Sequence, residues 1–137
     1  MKNFVTIFNK DFIPQGIALY KSMCSHMSSF KLWIICVDSE TFNFFNRNDF
    51  NNIIPLHLID LETDKLKKLR TERSLAEYCW TITPFAPKFV FDHDHSIDHV
   101  TYIDADIYFI NNPEILFKEF KQSTKSVLIT EHAYQPA

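Results

Sequence analysis

The chain has 137 residues, of which 46% are hydrophobic and 15% aromatic, with fourteen Phe, and it carries a formal charge of -3. That length suits one domain with a sizeable core, and that composition excludes a disordered or fibrous chain. The slight acidity excludes a broad basic field, so nucleic acid is not an expected partner and any phosphate ligand must be held locally.

Taken in chain order, Phe4–Phe8 is an apolar run too short for a signal peptide, because Asn9-Lys10-Asp11 ends it at once. No stretch reaches the roughly 20 apolar residues needed to cross a bilayer, so the sequence predicts a cytoplasmic protein without a transmembrane segment, peripheral membrane contact remaining open. Further β-rich runs at Leu32–Val37, Ile53–Ile59, Val100–Ile103 and Val127–Thr130 are apolar at consecutive positions, the pattern of parallel strands covered on both faces. Between the first two, Ile17, Tyr20, Cys24 and Met27 share one face of a helix that Pro14 can start. Ser39 is the expected N-cap of a short helix through Phe42 and Phe45, and Asp60 that of another containing Leu66 and Leu69. From Arg73 to Phe91 a helical pattern is interrupted by Pro84 and Pro87; it is expected to split at Thr83, which can cap the second piece, and to bury Trp80. Asn112-Pro113 reads as a cap and first turn of a helix burying Leu116, Phe117 and Phe120.

The alternation predicts an α/β domain of Rossmann-like type spanning residues 1–137, a mostly parallel sheet flanked by helices, with ligands beyond the carboxyl ends of the strands. Cys24, Cys36 and Cys79 are odd in number and form no Cys-x-x-Cys pair, so they are expected to be buried apolar residues in a reducing compartment. Gly16 is the single glycine, which rules out a Gly-x-Gly-x-x-Gly fingerprint or a glycine-rich phosphate loop within the chain. A phosphate ligand would have to be gripped by metal and side chains.

The residues that carry chemistry are Asp104 and Asp106, in Val100-Thr101-Tyr102-Ile103-Asp104-Ala105-Asp106-Ile107-Tyr108-Phe109. Two carboxylates at a strand's end are costly to bring together unless a cation lies between them. Mg²⁺ or Mn²⁺ suits oxygen ligands and completes its shell with water and phosphate oxygens. The bland alternative is a solvated turn. A second acidic and histidine-rich run, Asp92 to His99, lies between a helix and a strand and reads as a solvated loop.

Arg73-Ser74-Leu75-Ala76-Glu77-Tyr78-Cys79-Trp80-Thr81, then Thr101 to Phe109 around Asp104-Ala105-Asp106, then Ile129-Thr130-Glu131-His132, resemble the nucleotide-diphospho-sugar transferases of bacterial surface-polysaccharide clusters, GT-A enzymes akin to glycosyltransferase family eight. The resemblance implies a GT-A fold and a metal-dependent glycosyltransferase that moves a sugar from a nucleotide-diphosphate donor, UDP-sugar foremost, to a saccharide or glycolipid acceptor. It implies Asp106 as a direct ligand of Mn²⁺ or Mg²⁺ and Asp104 as a contact of the metal or the ribose. Phe8 and Asp38 would end the first two strands where such donors place base and ribose; Asp38 reads equally as a helix-entry residue. Arg73 would contact the diphosphate, or pair with Glu77 one turn on. Lys88 reads as a solvated helix lysine before a phosphate contact. His132 is not expected to complete a metal shell, and no catalytic residue is assigned. Relatives continue beyond Gln135-Pro136-Ala137 into an acceptor-binding half, so the chain is expected to be the donor-binding half alone. That leaves open a remnant that binds nucleotide sugar without turnover. A haloacid-dehalogenase-like phosphatase, with the first Asp as nucleophile, is a more distant alternative.

Overall fold

A computed structural model of the chain describes residues 1–124; the expected strand Val127–Thr130 and the Glu131-His132 pair fall outside the described residues. Within them the α/β expectation is met. Four parallel strands, β1 (Lys2–Phe8), β2 (Phe30–Cys36), β3 (Ile53–His57) and β4 (Thr101–Tyr102), lie in the order β3-β2-β1-β4. The central pair runs in register from Lys2↔Phe30 to Phe8↔Cys36, and apart from partly exposed Lys2 and Lys31 its residues are buried. Covering on both faces explains the unbroken apolar runs. Pro55 sits on β3, which among the described residues pairs with β2 alone and so is an edge strand, where proline is tolerated.

The helices follow from the order of the strands. The chain steps outward from β1 to β2 to β3, then crosses back to the far side of β1, and right-handed crossovers put helices of the two excursions on opposite faces. One face packs α1 (Ile13–His26) and α2 (Ser39–Arg47) onto Phe4, Phe8, Leu32 and Ile34 through Leu19, Met23 and Phe45. The other packs α3 (Asp64–Glu72), α4 (Leu75–Ile82) and α5 (Ala86–His93) onto Val5, Ile7, Trp33 and Ile35 through Leu66, Tyr78, Ile82, Phe89 and Val90. Finally α6 (Glu114–Gln122) lays Phe117 edge-on to Phe4 at 5.8 Å. Among the described residues no helix is long and apolar enough to cross a membrane.

Several local expectations are corrected. The buried stripe of α1 is Gly16, Leu19, Ser22 and Met23; Ile17, Tyr20 and Met27 lie only partly buried beside it, and Cys24 is exposed, so it is no core residue. Asp38, not Ser39, caps α2, and Thr63, not Asp60, caps α3; Asp60 instead closes a 3₁₀ turn over Leu58–Asp60 that cuts β3 short of Ile59. The split near Thr83 is present, with a 3₁₀ turn at Thr83–Phe85, but the Thr83 hydroxyl donates back to the Cys79 carbonyl at 3.0 Å instead of capping α5. Ser74 and Glu77 form a capping box on α4, encoded by the Ser-x-x-Glu spacing. Leu116 stays exposed and Phe120 only partly buried, because α6 meets the core through Phe117.

Candidate functional site

A cleft of about 790 Å³ opens at the carboxyl end of the sheet, between the ends of β1 and β4. This is the topological switch point, since the chain leaves β1 toward β2 on one side and returns to pair with it through β4 on the other. Loops leaving two neighbouring strands in opposite directions leave a crevice between them. Its floor and near wall are Ile7, Phe8, Asn9, Asp11 and Phe12; its far wall is Tyr102, Asp104, Ala105 and Asp106; α4 closes a third side with Leu75, Ala76, Cys79 and Trp80, continued by Thr83 of the following turn.

Asp104 and Asp106 reach this place because β4 is short. Its ladder with β1 ends at Val5↔Tyr102, followed by one more bond from the Ile103 amide to the Val5 carbonyl at 3.0 Å. The chain then turns, with the Ile107 amide donating to the Asp104 carbonyl at 3.2 Å. Ala105, at the turn's centre, is buried against the Phe4 and Phe8 cluster, which fixes the loop from beneath while both flanking carboxylates stay exposed. The Tyr102 hydroxyl donates to Asp104 Oδ1 at 2.9 Å. Burial pushes that phenol up to about 12, with a Thr83 hydrogen bond opposing the shift and Asp104 reinforcing it, so the proton stays on the donor.

Of the residues singled out in the sequence, Phe8, Asp104 and Asp106 line the one cleft, whereas Asp38 and Arg73 do not. Asp38 Oδ1 accepts from the Thr41 amide at 2.8 Å and the Thr41 hydroxyl at 2.6 Å, and Oδ2 from the Lys10 amide at 2.9 Å. Burial opposes its ionisation, but these donors outweigh it and hold the carboxyl below its ordinary range. Its work here is to cap α2 and tie down the loop that forms the cleft's near wall. Arg73 donates to the Thr81 hydroxyl beside α4. Lys88 pairs with Asp92 on the exposed face of α5, and the loop after α5 is held by Asp94 accepting from Ser96.

Phe8 contributes from below. Its ring stands edge-on to Phe45 at 5.8 Å, and a Cβ placed on Gly16 would come within 2.5 Å of the ring. Gly16 therefore serves close approach of α1 to β1. Gly16→Ala should destabilise the fold by about 1–3 kcal/mol through overpacking, outweighing the helix-propensity gain of about 1 kcal/mol. Urea denaturation of the variant checks this, and a more stable variant would show that Phe8 moves aside freely.

Leu75, Trp80, Asn9, Asp11 and Tyr102 are cleft residues that sequence reasoning missed as such. The usable signal was positional: Asn9 to Phe12 follow directly on the first strand. The expectation for Trp80 is overturned, for it is 73% exposed, and Tyr78, two residues earlier, is the buried aromatic. Cys79 also faces the cleft, but burial raises its thiol above the ordinary value, which makes it a wall and not a thiolate nucleophile.

Asp104 and Asp106 both line the cleft, and among the described residues no group of three or more His, Cys, Asp or Glu could hold a metal ion. The two carboxylates fit Mg²⁺ or Mn²⁺ if the ligand brings phosphate oxygens, since such ions commonly take one or two carboxylates plus substrate and water. The described lining contains no Lys or Arg.

Comparison with known proteins finds relatives in Bacillus subtilis (strain 168). The uncharacterized protein YfnF is 29% identical over 127 residues, which cover 93% of this chain and 41% of YfnF. The uncharacterized protein YfnD is 25% identical over 134 residues, covering 98% of this chain and 42% of YfnD. The chain thus spans about two-fifths of the length of the curated relatives it matches. No family model matches it.

Proposed function

We propose that the cleft is the donor site of a metal-dependent glycosyltransferase of the GT-A type, binding a nucleotide-diphosphate sugar, UDP-sugar foremost. The observation that carries this reading is the position of Asp104-Ala105-Asp106, on a turn that opens into a 790 Å³ cleft at the switch point between β1 and β4. A diphosphate in a cleft walled by carboxylates, with no cation in its described lining, would be repelled unless a divalent ion lay between. Asp104 and Asp106 would hold Mn²⁺ or Mg²⁺, which when bound supplies Lewis-acid neutralisation of the leaving diphosphate. Tyr102 orients Asp104 by its hydrogen bond, and Ala105 keeps the turn seated. Transfer to a saccharide or glycolipid acceptor belongs to the same proposal. So does a cytoplasmic location, which the three free cysteines favour.

Calorimetry tests the donor site without an acceptor. UDP and GDP are titrated with and without Mn²⁺, and Mn²⁺ with and without nucleotide. Each should strengthen the other by one common factor, because coupling between binding free energies is reciprocal. Nucleotide binding that ignores the metal, or no binding at all, would return Asp104-Ala105-Asp106 to a solvated turn.

A further inference from the structure

Among the described residues Trp80 joins neither hydrophobic cluster, and it is 73% exposed. Its helix is anchored from the opposite side: Tyr78 and Ile82, four residues apart, share the buried face. Leu75, Ala76, Cys79, Trp80 and Thr83 turn toward the cleft. The indole therefore stands on a braced helix, on a wall whose remaining exposed side chains are Leu75 and Ala76.

The rest of the cleft is rich in acceptor oxygens. Asp11, Asp104 and Asp106 contribute carboxylates and Asn9 an amide, with Asn9 Nδ2 donating to Asp11 Oδ2 at 2.9 Å. An aromatic plate beside acceptor oxygens, without a fixed cation in the described lining, suits a ligand that brings both an apolar face and hydrogen-bond donors. A pyranose ring presents a C–H face that lies flat on an aromatic ring, and hydroxyls that donate to carboxylates. A free anion would be repelled by the same groups. A nucleobase would use the plate, but it offers fewer donors than a pyranose to Asp11 and Asn9, the acceptors left when Asp104 and Asp106 hold the metal.

We propose that Trp80 is the platform for the pyranose ring of a saccharide, and that this subsite recognises the sugar without metal. The proposal rests on the donor-site reading only in taking that sugar to be the one carried on the nucleotide.

The test separates the two. With Mn²⁺ present, calorimetry on Trp80→Ala should show UDP-glucose or UDP-galactose weakened about tenfold and UDP less than about twofold, with Trp80→Phe recovering most of the loss. Equal weakening of UDP and UDP-sugar would put the base on the ring and overturn the proposal, as would no change in either. If UDP fails to bind the wild-type chain, the donor reading falls and free saccharide decides the subsite. The chain has two tryptophans, and Trp33 is buried, so acrylamide quenching of fluorescence reports on Trp80. Glucose, galactose or lactose in EDTA should protect Trp80 saturably; absence of protection by all three then overturns the subsite as well.

Discussion

Replacing Asp106 with asparagine is expected to abolish metal-dependent nucleotide binding while leaving the fold intact. The side chain is exposed on a turn whose seat in the core is Ala105 and whose backbone is closed by the Asp104 carbonyl and the Ile107 amide. Asparagine keeps the shape and one acceptor oxygen but removes the charge that a hard cation needs from a site with two carboxylates. The loss of Mn²⁺-dependent UDP affinity should reach at least ~100-fold, about 2.7 kcal/mol. Asp104→Asn should lose a similar amount, and Tyr102→Phe, which only frees Asp104 to rotate, about 10-fold or more by analogy with other groups that orient metal ligands. Thermal midpoints without ligand should stay within a few degrees of wild type, because no buried group is disturbed. An Asp106→Asn protein that binds UDP and Mn²⁺ like the parent would remove the metal assignment.

The elements were legible wherever local pattern and tertiary need agree. Strands β1 and β2 announce themselves because burial on both faces leaves few polar residues in them, and the Asp-x-Asp turn is found because it follows the short β-rich run that forms β4. What failed was the choice of face. Helix α4 has apolar side chains at 75, 76, 78, 79, 80 and 82, nearly all round, so periodicity does not say whether Tyr78 or Trp80 turns inward. The decision is made by Glu62, far away in sequence, which takes the Tyr78 hydroxyl. The same holds for α2, where Asp38 and Ser39 are both good caps by type; Asp38 prevails because it reaches the Lys10 amide as well as Thr41. Cleft membership of Leu75 and Trp80 was hidden for that reason: it depends on which side of α4 the core claims first.

That anchor yields the second large expected effect. Glu62 is a buried carboxylate, its side chain 1% exposed, with Oε1 accepting from the Tyr78 hydroxyl and Oε2 at 3.2 Å from Arg70 Nη1. Arg70 is 41% exposed, which screens its side of the pair, but Arg70→Ala leaves one oxygen of the buried Glu62 carboxylate without its partner and should cost about 1–3 kcal/mol. Tyr78→Phe strands a buried charged oxygen and should cost about 1–3 kcal/mol. Glu62→Ala should cost at least as much, since it leaves the Tyr78 hydroxyl buried without its acceptor and opens a void beneath α4. Because the two residues form one contact, the double variant should fall short of the sum of the singles in urea denaturation. The pH dependence has a definite sign. Burial first, and the hydrogen bond to Glu62 next, raise the Tyr78 phenol above its ordinary value. The folded state thus favours the neutral phenol. Its contribution is complete below the unfolded value of about 10 and is lost as pH climbs above it toward the folded value. Tyr78→Phe should therefore flatten the fall in stability above pH ~10, while Tyr20, Tyr102 and Cys36, all raised to about 12, contribute to the remainder. Since α4 carries Trp80 on its other side, loosening Tyr78 should also weaken UDP-sugar more than UDP. A Tyr78→Phe protein as stable as wild type at both pH 7 and high pH would mean that Glu62 does not hold α4 in place.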